Sequence, residues 1–103
     1  VLNKDMMIVV TGEIGRNYKI NANAGRDHWP KLSPLVISGG DFDMGYAVGT
    51  STSKAEEPKT DPVNPQNLTA TLLKHFGVDQ HTQRLDMGGR PRYFVDVGTK
   101  SIL

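Results

Sequence analysis

With 103 residues and twelve Lys and Arg against eleven Asp and Glu, the chain carries a formal charge of +1 and can bury one modest core but not two. Its basic residues stand singly rather than along one face with aromatics between them, which argues against a nucleic-acid partner. No run nears the roughly 20 apolar residues of a membrane span, and the lack of cysteine excludes a disulfide, a thiolate nucleophile and a sulfur metal site.

The first residue is Val1 and a strand-like run follows almost at once, which suggests a processed or truncated product; a missing amino-terminal part could hold half a sheet and half an active site. Met6 to Thr11 is a continuous apolar run of strand length closed by Gly12, the pattern of a central strand buried on both faces. From Gly12 to Pro30 the chain is polar and nearly free of core residues, with Glu13, Arg16, Arg26, Asp27 and His28 spread along it. An open α/β sheet carries its chemistry on such loops at the carboxyl ends of strands.

Leu35 to Ser38 is a second apolar run, entered through Pro30 and Pro34 and closed by Gly39-Gly40. It reads as a second strand, compatible with a parallel pairing to the first. Gly45 to Thr50 is β-leaning but flanked by glycine, which suits a short edge strand or hairpin arm. Thr50 to Pro65 is rich in Ser, Thr, Pro and charge and reads as an exposed loop.

Asn64 then offers an N-cap oxygen, Pro65 takes the first helical position, and Leu68, Leu72, Leu73 and Phe76 recur at helical spacing before Gly77. These signals predict a helix of about 12 residues. Val78 to Pro91 reads as loop, and Tyr93 to Val97 as a short β-like segment.

Each polar residue of the 12–30 loop has a chemical and a structural reading. Glu13 could bind a hard cation or act as a general base, or it could cap or salt-bridge a neighbouring loop. Arg16 could hold an oxyanion in its planar fork, or pair with Glu13 three residues back. Asp27 and His28 could together ligate a metal, or one could orient the other; side chains adjacent in sequence also often diverge. Trp29 fits packing of the loop onto the body better than stacking on a substrate. His75 and His81 fit solvated side chains, and no H-E-x-x-H or P-loop pattern defines a chemistry.

The segments VVTGEIGR, NANAGRDHWP, LVISGGDFDMG, NPQNLTATLLKHFGVD and GGRP, in that order, resemble the carboxyl-terminal part of the DUF1501 family, proteins similar to sulfatases within the alkaline phosphatase superfamily. The resemblance implies an α/β fold. Residues 1–103 would form the carboxyl-terminal portion of one sulfatase-like domain, an alkaline-phosphatase-like α/β/α sandwich on a mostly parallel sheet. It also implies a metal-dependent hydrolase of sulfate or phosphate esters, using zinc, calcium or magnesium and competent only with its missing amino-terminal part. Its nucleophile would lie in that part, its partners would be the remainder of its own domain and a small ester, and its location would be periplasmic or exported.

By position, Glu13 and Ile14 would fall where relatives with this chemistry carry a metal-binding Asp-His pair, and His28 near a later His ligand. Glu13, Asp27 and His28 are thus the implied metal contacts, and Arg16 and Arg26 the implied oxyanion contacts. Ile14 cannot ligate a metal, so the resemblance also admits a non-catalytic member with a degenerate metal site, acting in binding or structure.

Overall fold

Met7–Thr11 forms strand β1 of the computed structural model, which describes residues 2–103 and divides into two units, one ending at Pro62 and one spanning Val63–Leu103. The first opens with a single turn of helix, α1 (Leu2–Asp5), whose Lys4 meets Asp41 at 3.5 Å. After β1 come β2 (Gly15–Arg16), β3 (His28–Trp29), β4 (Leu35–Gly39), β5 (Thr50–Ser51) and β6 (Pro58–Thr60).

Strands β1 and β4 are the two apolar runs, and they pair antiparallel, with Met7 opposite Gly39 and Thr11 opposite Leu35. The expected parallel pairing is therefore wrong. A parallel pair needs a long crossover, usually a helix. The intervening polar segment 12–34 cannot form one and instead folds back on itself as the β2–β3 hairpin.

The same finding corrects the expected fold class. The strands form four two-stranded ladders, β1–β4, β2–β3, β5–β6 and β7–β8, all antiparallel. Among the described residues there is neither a parallel sheet nor an α/β/α sandwich. Nor is β1 a strand buried on both faces: Met7, Val9, Leu35 and Ile37 are half-buried, while Ile8, Val10 and Val36 are exposed. A two-stranded ribbon offers too little cover for either face.

The edge strand expected at 45–50 shrinks to its last residue. Thr50 joins Ser51 in β5 and pairs with β6, so a hairpin lies inside the stretch read as an exposed loop. The Thr50 and Thr60 hydroxyls meet at 2.8 Å across it, a polar cross-strand contact that leaves no hydrophobic pattern in the sequence.

In the second unit, α2 (Pro65–His75) follows its signals closely. The Asn64 side chain accepts from the backbone N–H groups of Gln66 and Asn67 at 2.9 and 3.2 Å. The Asn67 side chain in turn accepts from the Asn64 backbone N–H at 2.8 Å, a capping box built from two asparagines. At the other end Gly77 takes φ +68° and donates to the Lys74 carbonyl while Val78 donates to Leu73, a Schellman closure. Phe76 falls just outside the helix and is 71% exposed, so it leaves the apolar stripe it seemed to continue.

The core of this unit is small: Ala70, Thr71 and Val95 are buried. The carboxyl-terminal segment is tied to α2 by polar side chains. Gln66 donates to the Asp96 carboxylate and accepts from its N–H, both at 2.7 Å; Asn67 donates to the Lys100 carbonyl at 2.9 Å. The fully buried Thr71 hydroxyl donates to the Asn67 carbonyl and accepts from the Ile102 N–H, both at 2.8 Å.

Strands β7 (Gln83–Leu85) and β8 (Pro91–Tyr93) form a hairpin where a loop was expected. Of the expected 93–97 β segment only Tyr93 is in a strand. Beyond it Val95 turns inward and Asp96 binds Gln66, which takes the chain out of the ladder and onto the helix.

Candidate polar-loop site

The site expected on the 12–30 loop is a narrow hairpin whose base is the β2–β3 ladder. Gly15 pairs with Trp29 and Arg16 with His28, and the Asn17 N–H donates to the Asp27 carbonyl at 2.8 Å, which continues the same register. Hydrogen-bonded and non-hydrogen-bonded pairs alternate along an antiparallel ladder, so Arg16 and His28 form a non-bonded pair with their side chains on one face. Asn17 and Asp27 belong to the opposite face.

Two features hold this base in place. A Cβ at Gly15 would lie 1.7 Å from the Leu32 carbonyl oxygen, so the buried position admits no side chain. The half-buried Trp29 donates its indole N–H to the Glu56 carbonyl at 2.6 Å and braces the hairpin against the 52–57 turn, in line with its packing role.

The loop above the base is organised by Asn21. Its side-chain oxygen accepts from the N–H groups of Asn23 and Gly25, both at 3.0 Å, its Nδ2 donates to the Asp27 carboxylate at 3.1 Å, and its backbone N–H donates to the Gly25 carbonyl. Ala24 adopts φ +58° within this turn.

The two arginines cross over the loop. Arg16 Nη1 donates to the Arg26 carbonyl at 2.9 Å, while Arg26 Nη1 donates to the Tyr18 and Asn17 carbonyls at 2.6 and 3.1 Å. Both side chains nevertheless remain exposed. Arg16 does not pair with Glu13; its guanidinium reaches across the hairpin instead.

Arg16, Arg26 and His28 are thus brought to one hairpin, with Arg16 and His28 on a shared face. Asp27 is turned to the other face and bound by Asn21, so it does not stand beside His28 as a joint ligand. Glu13 and Ile14 lie on the bend between β1 and β2, and the exposed side chains of Glu13 and His28 make no hydrogen bond or ion pair with any described residue. Among the described residues no three His, Asp or Glu side chains converge to hold a metal ion. Glu13, Asp27 and His28 do not by themselves build the implied metal centre.

A second polar cluster went unread in the sequence. At the tip of the β7–β8 hairpin, Asp86 accepts from the N–H groups of Gly88 and Arg90 at 2.9 and 3.0 Å, and its other oxygen meets Nε of Arg92 at 3.1 Å and Nε of Arg90 at 3.3 Å. The Arg90 N–H, followed by the Arg92 guanidinium, holds the Asp86 carboxyl below its ordinary range. The Asp-x-Gly-Gly-Arg run from 86 to 90 is a turn signature that could have revealed it. The His81 N–H and ring likewise lower Asp79. A depression of about 370 Å³ beside the hairpin is lined by Pro91, Arg92, Tyr93, Val95, Asp96 and Val97.

Residues 2–103 match the model of a family described as a protein of unknown function, DUF1501. No curated protein and no solved structure matches the chain. No described helix is long and apolar enough to cross a membrane.

Proposed function

Because the chain belongs to the DUF1501 family, we propose that it is part of a sulfatase-like hydrolase of sulfate or phosphate esters, acting with the remainder of its own domain. The observation that supports this reading best is the placement of Arg16 and His28 on one exposed face of the β2–β3 ladder. The guanidinium fork matches the non-bridging oxygens of such an ester, and an imidazole beside it can move a proton to or from the reacting oxygen.

Arg16 uses Nη1 on the Arg26 carbonyl, and the rest of its donors make no hydrogen bond among the described residues. Arg26, with its own Nη1 spent on two carbonyls, is a positioning residue in this scheme rather than the main oxyanion contact. A divalent zinc, calcium or magnesium ion would neutralise charge on the ester oxygens when bound. Most of its ligands would have to come from outside this chain, with the exposed Glu13 carboxylate, unpartnered among the described residues, as the group available here.

A second reading is a non-catalytic member of the family in which this loop acts in binding or structure. It is favoured by the hydrogen bonds that already occupy Arg16, Arg26 and Asp27. Assay of the full-length protein on an aryl sulfate and an aryl phosphate, with each of the three metals added, separates the two. Turnover that depends on His28 supports the hydrolase; no turnover of either ester and no bound metal leaves the non-catalytic reading.

A further inference from the structure

We propose that the charged face of the β7–β8 hairpin binds a tetrahedral oxyanion, phosphate or sulfate, among the guanidinium groups of Arg84, Arg90 and Arg92. The ladder pairs Arg84 with Arg92, and the register continues to Asp86 and Arg90, where the Asp86 N–H donates to the Arg90 carbonyl at 2.9 Å. Alternation along the strands puts these four charged residues on one face, while Leu85, Pro91 and Tyr93 fall on the other.

Asp86 presents two of the three arginines in a fixed way. Its Oδ1 is committed to the Gly88 and Arg90 N–H groups, and its Oδ2 sits between Nε of Arg90 and Nε of Arg92. Both guanidiniums are therefore gripped at Nε, and their outer Nη edges make no hydrogen bond among the described residues. Those edges are the donors that match a tetrahedral oxyanion two at a time.

Charge balance favours a dianion. One carboxylate faces three guanidinium groups, and Arg84, which has no hydrogen-bond or ion-pair partner among the described residues, lies directly across the ladder from Arg92. Like charges so opposed destabilise a ladder, and a bound phosphate or sulfate would relieve that repulsion. A simple carboxylate carries half the charge and too few oxygens to engage three forks. This cluster lies in the second unit, and the inference does not depend on the ester-hydrolase reading.

Titration of the isotope-labelled full-length protein tests it, with the Gly88 and Gly89 amide resonances as local reporters. Inorganic phosphate, inorganic sulfate and the non-hydrolysable phenylphosphonate are each added at constant ionic strength against sodium chloride. Saturable shifts of both amides are expected, with phosphate alone or phenylphosphonate as well showing whether a free ion or a substituted one is accepted. Arg84→Gln, which leaves the Asp86 contacts untouched, should weaken binding about tenfold, the loss of one charge-assisted hydrogen bond. Shifts no larger than those caused by chloride, or the same affinity in Arg84→Gln with the Gly88 resonance in place, would overturn the proposal.

Discussion

Arg16 and Arg26 brace one loop from opposite ends: Arg16 donates to the carbonyl of Arg26, and Arg26 donates back to the carbonyls of Asn17 and Tyr18. Each side chain thereby satisfies backbone groups that the polar 17–27 segment cannot satisfy in a ladder of its own. Replacing Arg26 by Ala should speed hydrogen exchange at residues 17–27 while leaving α2 unchanged. Arg26→Lys should recover only part of the protection, since one ammonium cannot reproduce the planar fork. Exchange rates measured by NMR or mass spectrometry decide it.

Gly15→Ala should be the most damaging single-methyl change in the first unit. The added carbon would meet the Leu32 carbonyl at 1.7 Å and the Trp29 carbonyl at 2.8 Å, both backbone atoms that cannot rotate aside. Overpacking of this kind costs about 1–3 kcal/mol or more. Denaturant midpoints of Gly15→Ala and of Gly45→Ala, where a Cβ meets nothing but the backbone φ is +89°, separate collision from backbone strain.

Thr71→Val should destabilise the second unit by about 1–3 kcal/mol, because it strands the part-buried Ile102 N–H and removes the bond to Asn67 without changing shape. Thr71→Ser keeps the hydroxyl and should lose less. Asn64→Ala, which removes the side-chain bonds to the Gln66 and Asn67 N–H groups but keeps the backbone bond to the Asn67 side chain, should cost about 1 kcal/mol, seen as reduced helicity and a lower melting temperature.

Acid should weaken the β7–β8 hairpin. The Asp86 carboxyl has a lower pKa folded than unfolded, because the Arg90 N–H and the Arg92 guanidinium favour its charged form. The stabilisation is therefore complete above the unfolded value of 3.8 and is lost as pH falls through the lower folded value. Melting temperatures of the wild type should drop below about pH 4, and those of Asp86→Asn should drop less. Asp79, lowered by His81, adds a dependence of the same sign.

Helix α2 was readable because every signal that makes it is local: the Asn64 cap, Pro65, the Leu spacing and Gly77. The apolar runs likewise located β1 and β4, but their antiparallel pairing depends on how the 23 residues between Thr11 and Leu35 fold, which no local pattern states. The β5–β6 and β7–β8 hairpins were missed because polar contacts hold them, Thr50 to Thr60 in one and Asp86 to its arginines in the other. In the candidate site the residues were legible and their partners were not. Arg16 and Arg26 find backbone carbonyls eight to ten residues away, and the ladder turns Asp27 away from His28.

His28 is the cleanest probe of the proposed chemistry, because its side chain makes no hydrogen bond with any described residue and its truncation leaves the arginine crossing intact. The decisive measurement is kcat/KM of the full-length protein on an aryl sulfate and an aryl phosphate, for the wild type and His28→Ala. Loss of proton transfer by His28 predicts a fall of about 100-fold or more on the preferred ester. Equal kcat/KM in the two proteins, or no hydrolysis of either ester by the wild type, would contradict it.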